Sequence, residues 1–230
     1  MENFFSGYLS AADYRRKAHE NCNNQGKKLV ITYLVYVVIM AIVLVVDKAT
    51  GHTEINADGT ITTTTWFQGV FNLLTSGVFA ISFAEINRKV YKNIDVDPKD
   101  LFYGSNDFGR TFILHILQSI FTFLWSLLFV IPGIIKGISY SMSYYIANDN
   151  KDLSASECID RSKQMMDGYK WDYFCLILSY TGWILLSVLT FGILFIWVLP
   201  RMEQAKYLFY LRISGLGEKM ESKEVEFSEF

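Results

Sequence analysis

The strongest constraint on the fold is a pair of apolar segments that repeat each other and are each about as long as a bilayer is thick. The first, TFILHILQSIFTFLWSLLFVIP, ends at Pro132, and the second, SYTGWILLSVLTFGILFIWVLP, ends at Pro200. When they are aligned on these prolines, Ser119 pairs with Ser187 and a Thr-Phe pair matches in both. The repeat indicates a helical membrane protein that contains a duplicated hairpin.

Composition agrees with this interpretation, since 51% of the residues are hydrophobic and 19% are charged, where soluble domains carry about a quarter charged residues. An apolar run from Leu29 to Val46 precedes the repeat, and a second run begins at Trp66. Residues 111–147 and 171–213 each hold enough residues for two further helices. We therefore predict an all-α polytopic membrane helical bundle with six transmembrane helices in three hairpins.

The turn within each repeated hairpin could lie at the proline or about ten residues earlier. A turn at Pro200 would leave only RMEQAKYLFYLRI for the returning helix, which is about 20 Å long and too short to span a bilayer. We therefore predict turns at Thr122-Phe123 and at residues 190–192. In that arrangement Pro132 and Pro200 kink predicted helices 4 and 6.

Lysines and arginines indicate the orientation of these helices. They precede predicted helix 1, lie between helices 2 and 3 and between helices 4 and 5, and follow helix 6. All four sets fall on one side of a six-helix arrangement, so both termini are expected in the cytoplasm. The predicted organisation is a basic leader helix over residues 1–28, a transmembrane domain over 29–213 and an acidic tail over 214–230.

Two connecting segments carry local structural signals. The external loop, residues 47–65, contains Asp58-Gly59 between two polar β-prone stretches and predicts a small hairpin. The cytoplasmic segment 154–168 begins with Ser154 and Glu157 at capping-box spacing and ends at Gly168, so it predicts an amphipathic helix at the inner interface.

The C-terminal half also carries recognisable motifs. They are LWSLLFVIPGIIK, an SK-MM-G-KW core, and an SY-GW-LL-LT-GI-W-LP segment. In these motifs the chain resembles the bacterial integral membrane family catalogued as domain of unknown function 975. The resemblance implies a helical fold in a bacterial plasma membrane, and it implies no reaction.

Charges at bilayer depth are costly and therefore mark candidate functional sites. Lys136 on predicted helix 4 and Arg201, Glu203 and Lys206 on helix 6 meet this description, and a contact of Glu203 with Lys136 or Arg201 is expected. Such charges could instead only join helices, or extend to the outer interface. The polar crevice predicted between helices 4 and 6 comprises Lys136, Tyr140, Tyr144, Arg201, Glu203 and Tyr207.

Small residues at four-residue spacing predict close helix packing. They lie on predicted helix 4 at Gly133, Gly137 and Ser141, and on predicted helix 2 at Ser76 and Ala80. Helix 2 also carries polar residues inside its apolar run, among them Asn72, Thr75 and Glu85, so it requires protein neighbours on one face.

Function is less constrained than fold. The sequence contains no motif for a catalytic group, a metal site or a cofactor, so we expect a protein that is not an enzyme and needs no cofactor. We expect the lipid bilayer as a partner, with a second copy or another membrane protein, and no nucleic acid. Three function classes remain open. They are a membrane scaffold or assembly factor, a small transporter, channel or export accessory that uses the polar crevice, and a lipid-handling enzyme. The third is the weakest, because no nucleophile, metal set or paired carboxylates can be named.

Overall fold

The computed structural model describes residues 4–5, 7–55, 61–64, 66–190, 192 and 194–220. Within these residues the regular structure is helical apart from one two-stranded hairpin. The elements are α1 (Ala11–Thr50), β1 (His52–Ile55), β2 (Ile61–Thr64), α2 (Phe67–Tyr91), a 3₁₀ helix (Pro98–Asp107), α3 (Phe108–Leu128), α4 (Val130–Tyr140), α5 (Ser143–Asp149), α6 (Ala155–Met165), α7 (Lys170–Leu189) and α8 (Phe195–Ile213).

Helix α1 begins at a capping box and bends once. The Ser10 side chain accepts a hydrogen bond from the Asp13 backbone N–H, and Asp13 accepts one from the Ser10 backbone N–H. Gly26 interrupts the helix with φ of 56°, a conformation that glycine adopts without a Cβ penalty. The predicted leader helix and first transmembrane helix are therefore the two parts of α1, which meet at Gly26, while the predicted domain boundary at residue 28 stays a prediction.

The segment that follows α1 forms the predicted hairpin. Strands β1 and β2 are antiparallel, with His52 opposite Thr64 and Ile55 opposite Ile61, while the predicted turn at 58–59 lies outside the described residues. The predicted loop starts too early, because α1 continues to Thr50. Asp47 on α1 is buried, and its Oδ1 accepts a hydrogen bond from the backbone N–H of Gln68 in the first turn of α2 at 2.9 Å.

The first repeated hairpin turns at Phe129. Helix α3 continues to Leu128, and Phe129 is extended, with φ of −159°. The predicted turn at Thr122-Phe123 is wrong, as is the predicted kink, because Pro132 lies in the first turn of α4. A proline is tolerated there since the first backbone N–H groups of a helix have no intrahelical acceptor.

Predicted helix 4 is divided into two short helices. Helix α4 has 11 residues, about 16 Å at 1.5 Å per residue, which is half the thickness of a bilayer core. The chain turns at Ser141-Met142 before α5 begins. Together the two helices form a discontinuous segment over residues 130–149.

The second repeated hairpin follows the prediction. Helix α7 ends at Leu189, and the Gly192 backbone N–H donates to the Ser187 carbonyl at 2.8 Å. Helix α8 then begins at Phe195 and contains Pro200. The prediction that this turn precedes its proline is confirmed.

Four of the described helical stretches are long and apolar enough to cross a membrane. These are Ala11–Thr50, Phe67–Tyr91, Pro98–Leu127 and Lys170–Leu189. The other two predicted spans correspond to the short α4 with α5 and to α8, which carries four charged residues, at Arg201, Glu203, Lys206 and Arg212. The six-span hairpin arrangement therefore remains a prediction.

The C-terminal half of α8 lies at the centre of the fold. Its Tyr207–Leu211 segment is almost completely buried and packs among rings from other helices. Tyr14 and Tyr173, for example, both contact Phe209. Helix α6 packs nearby and has the predicted capping box, in which Ser154 and Glu157 exchange hydrogen bonds, while Gly168 follows with φ of 82°.

Candidate functional site

A cavity of about 360 Å³ lies between the helices, and most of the residues that line it are polar or aromatic. Residues from α1, α2, α3, α5, α7 and α8 line it, together with Ser141 in the break between α4 and α5. We call it the central cavity. Its non-aromatic polar lining consists of Asn72, Thr75, Ser76, Gln118, Ser141, Glu203 and Lys206.

An ion pair on α8 supplies the charges of the central cavity. Lys206 Nζ lies 2.7 Å from Glu203 Oε1, one helical turn away. Their side chains are 20% and 19% exposed, so water can reach both. Among the described residues that line the cavity, these two are the charged ones. Their positive and negative groups lie side by side on one wall.

The α2 wall of the central cavity presents oxygen atoms. The Thr75 hydroxyl donates to the Phe71 carbonyl at 2.8 Å, and the Ser76 hydroxyl donates to the Asn72 carbonyl at 2.6 Å. Each hydroxyl hydrogen is thus used within α2, which leaves the oxygen lone pairs as acceptors. This wall therefore suits a ligand that donates hydrogen bonds.

The α3 and α5 walls add two further polar groups. Gln118 Oε1 is buried and has no hydrogen-bond partner among the described residues. The Tyr144 hydroxyl lies 3.0 Å from His115 Nδ1, which fixes the ring orientation at the cavity edge. A buried acceptor without a partner is costly, so a ligand or water that donates to Gln118 would be stabilised.

The structure brings together only part of the predicted crevice. Tyr144 and Glu203 line the central cavity, whereas Tyr140 packs beside Phe121, and Tyr207 lies between Tyr91 and Tyr145. Both of these tyrosines are buried in the core.

The predicted contacts of Glu203 with Lys136 and Arg201 are wrong. Lys136 Nζ lies 4.6 Å from the centroid of the Trp125 ring, because the turn at Phe129 places Lys136 near the tip of the α3–α4 hairpin. Arg201 lies on another side of α8, where it lines two separate cavities. Glu203 pairs with Lys206 instead, one turn along the same helix.

The predicted helix-packing residues divide into two groups. Gly133 lies directly against Ser126 of α3, where a Cβ would be 2.9 Å from the Ser126 Cα. Gly137 has more space, since its nearest such neighbour is Thr122 Cγ2 at 3.9 Å. The remaining three, Ser141, Ser76 and Ala80, line the central cavity.

Gln118 is a polar lining residue that sequence reasoning missed. Its signal is an amide inside the apolar run of α3, similar to the polar residues that indicated protein neighbours for α2. The aromatic wall formed by Tyr36, Phe79 and Phe83 carries no comparable signal, because aromatic residues on apolar helices are common in any core.

Further polar contacts join the ends of α2, α5 and α8. Glu85 is 4% exposed and accepts hydrogen bonds from Arg88 at 2.7 and 2.8 Å and from Asn148 Nδ2 at 3.0 Å. The Tyr210 hydroxyl donates to Asp149 Oδ2 at 2.8 Å. The two sets of hydrogen bonds are separate, and both join helices: Glu85 with Asn148 connects α2 to α5, and Tyr210 with Asp149 connects α8 to α5. We therefore assign them a structural role and take the central cavity as the candidate site.

The fold and the cavity define a class: a helical protein with helices fit to cross a membrane, arranged around a partly charged cavity. Residues 127–217 match the model of the family described as Protein of unknown function (DUF975). The match includes α4 to α8, with Glu203 and Lys206, and confirms the resemblance found in the C-terminal half. Comparison with curated proteins and with solved structures gave no match.

Proposed function

We propose that this chain is an integral protein of a bacterial plasma membrane that binds a small zwitterionic solute in the central cavity, as a small transporter or export accessory. The observation that carries the proposal is the ion pair of Glu203 and Lys206, which faces a cavity of about 360 Å³ between apolar helices. That volume lies within the range of small-molecule sites, about 300–1,000 Å³.

The chemistry of the lining supports a zwitterion. A ligand ammonium group next to Glu203 and a ligand carboxylate next to Lys206 would each find an opposite charge. The acceptor oxygens of Thr75 and Ser76 add sites for the ammonium hydrogens. Charged groups inside membrane segments are costly, and a bound solute is one reason for a chain to retain them.

The break between α4 and α5 supports a transport role for the central cavity. Ser141 lies in this break and lines the cavity. Discontinuous helices at a polar site recur in transporters. The Ser141 and Met142 backbone N–H groups donate to the Ile138 carbonyl and to Ser162 Oγ, so this break offers the solute the Ser141 side chain rather than free backbone groups. In this proposal α4 with α5, and α8, cross the membrane beside the four apolar helices.

Both termini lie in the cytoplasm in this six-crossing arrangement. The distribution of lysine and arginine supports it, since the basic residues flank the same ends of the helices. A reporter fused after Phe230 should be active only inside the cell. Activity outside the cell would contradict the topology. It would not bear on solute binding, which is tested separately.

Solute binding is tested with the full chain purified into lipid nanodiscs. A panel of zwitterionic amino acids is added, and the unfolding temperature and heat of binding are measured. We expect at least one member to bind, and Lys206→Met to reduce its affinity at least about tenfold, the effect of losing one charge-assisted hydrogen bond.

The matched control is Lys163→Met. Lys163 forms an ion pair with Asp160 at 2.8 Å, also one turn apart, but on α6 and outside the central cavity. This variant should bind the solute like the unchanged chain. Equal binding by Lys206→Met, or no binding by any member of the panel, would contradict the proposal.

The scaffold hypothesis stays a prediction. It relied on small-residue faces that were open to a partner, but Gly133 packs inside the chain against Ser126. Ser76 and Ala80 face the central cavity. No contact among the described residues favours assembly over solute binding.

A further inference from the structure

The bend at Gly26 holds the first part of α1 against α7 and α8. Arg15 Nη1 donates to the Ser179 carbonyl at 2.9 Å, which attaches this segment to α7. Arg212 near the end of α8 donates to the Tyr14 hydroxyl at 3.2 Å and to the Gly7 carbonyl at 3.1 Å. The basic residues of this segment therefore have fixed positions beside α7 and α8.

Two cavities, separate from the central cavity, lie beside this segment and share Trp197 and Arg201. One has a volume of about 340 Å³ and the other about 430 Å³. Arg15, Arg16, His19 and Arg201 line the smaller one together with Trp183 and Trp197. We call these six residues the arginine–tryptophan pocket.

The charge of the arginine–tryptophan pocket is balanced in part, since Arg16 Nη2 lies 3.2 Å from Asp13 Oδ1 in an exposed ion pair. Among the described lining residues of the two cavities there is no aspartate or glutamate. The guanidinium group of Arg201 has no hydrogen bond or ion pair with any described residue, although the Arg201 backbone carbonyl accepts from Tyr180 at 3.2 Å. A guanidinium group inside a helical bundle is costly without an anion.

The walls of the same pocket are apolar and partly open. The side chains of Trp183 and Trp197 are 48% and 50% exposed, and exposed leucines at 185, 186 and 189 continue the apolar surface along α7. A ligand that fits therefore has a compact anionic group and a long apolar part. A soluble anion would use the arginines but would leave the apolar walls uncovered.

We propose that the arginine–tryptophan pocket binds one anionic phospholipid, with its phosphate at Arg201 and the arginines of α1 and its acyl chains along Trp183 and Trp197. A guanidinium group matches a phosphate because two parallel N–H donors meet two oxygens. The rings of Trp183 and Trp197, which are about half exposed, supply an apolar wall for the acyl chains beside these arginines. This site is independent of the solute proposed for the central cavity.

The test uses brominated lipids, which quench tryptophan fluorescence on contact. The full chain is reconstituted in phosphatidylcholine bilayers, and brominated phosphatidylglycerol or brominated phosphatidylcholine is added in steps. We expect stronger quenching by the anionic lipid, saturating at a low mole fraction. Replacing Trp197 with Phe should reduce this excess quenching, and replacing both Trp183 and Trp197 with Phe should remove it.

Arg201→Gln should weaken the apparent affinity for brominated phosphatidylglycerol at least about fivefold, the effect of one basic residue at a membrane surface. The matched control is Arg161→Gln, an exposed arginine on α6 that changes the net charge equally and should leave the affinity unchanged. Arg16→Gln, at an exposed position, replaces Arg201→Gln as the test variant if the latter does not fold.

Three results would overturn the proposal. The first is equal quenching by the two brominated lipids. The second is an equal loss of affinity in Arg201→Gln and Arg161→Gln, which would indicate attraction by net charge alone. The third is complete displacement of the lipid signal by millimolar inorganic phosphate, which would indicate a site for the soluble anion.

Discussion

Two glycines of α4 lie at different distances from α3, so the effects of replacing each with alanine can be compared. An alanine Cβ at position 133 would lie 2.9 Å from Ser126 Cα and 3.0 Å from its Cβ, with the hydroxyl oxygen closer still. Because the Cα belongs to the backbone, the two helices must move apart. At position 137 the nearest such atom is Thr122 Cγ2 at 3.9 Å, an ordinary contact distance.

These distances predict opposite effects of the two substitutions on the stability of the fold. Glycine to alanine inside a helix contributes up to about 1 kcal/mol of stability. Overpacking costs about 1–3 kcal/mol, and the contact with backbone atoms at position 133 places its cost at the upper end. Gly133→Ala should therefore destabilise the fold by about 1–2 kcal/mol, whereas Gly137→Ala should leave the stability unchanged or raise it by about 1 kcal/mol.

The assay is reversible unfolding of the purified chain in mixed micelles with increasing dodecyl sulfate, followed by circular dichroism. Adding Ser126→Gly to Gly133→Ala removes the contacts of the added Cβ with Oγ and Cβ and keeps the one with Cα. We expect this double variant to recover part of the lost stability. The reasoning is refuted if Gly133→Ala is as stable as the unchanged chain, or if Gly137→Ala is the less stable of the two.

Three further substitutions follow from single contacts. Arg110→Ala removes two hydrogen bonds from a guanidinium group to carbonyls at the end of α5, at 3.1 and 2.5 Å, and should cost about 2–3 kcal/mol in the same unfolding assay. Lys206→Met leaves Glu203 without its ion-pair partner and should cost about 1–3 kcal/mol, less than for a fully buried pair, and Glu203→Gln in the same chain should restore most of the loss. Hydrogen bonds from Ser154 hold the pKa of Glu157 below its usual range, so the start of α6 is stabilised above the usual glutamate pKa and loses this contribution as the pH falls through the lowered pKa. Ser154→Ala should move this loss to higher pH, measured as amide hydrogen exchange in α6, and an unchanged pH profile would contradict the role of the cap.

Local signals predicted much of the fold. The capping box at Ser154 depends on two side chains three residues apart, so the sequence contains the whole interaction. The short length of the segment left for a returning helix after Pro200, residues 201–213, similarly predicted that the second turn precedes the proline. Predictions of this kind depend on geometry that a few neighbouring residues define.

The first repeated hairpin shows why the repeat was not a sufficient guide. Its proline matches Pro200 in sequence, but a proline is compatible with the first turn of a helix as well as with a kinked interior. The contact of Gly133 with Ser126 requires α3 to continue past Thr122, and this is a contact between helices that sequence spacing does not specify. The break at Ser141-Met142 likewise has no proline or glycine to mark it.

The sequence indicated which types of residue belong to the candidate site better than it indicated which of these residues contact one another. Charged residues in apolar segments identified Glu203 and Lys206, but depth alone did not determine which charges would meet. Glu203 pairs with Lys206 because residues three apart on a helix are neighbours, whereas Lys136 is separated from it by the packing of α4 on α3. Gln118 belongs to the site only through the assembly of the helices.

The central claim is that water and small solutes reach the central cavity between the helices. It is tested most directly by replacing Cys22, Cys158 and Cys175 with alanine and introducing Ser76→Cys, which lines the cavity, or Ala84→Cys, which is 1% exposed. A charged, membrane-impermeant methanethiosulfonate is then applied to both sides of the reconstituted protein. We predict rapid modification of Ser76→Cys and none of Ala84→Cys. A cysteine at position 76 that is as unreactive as the one at position 84 would contradict the account.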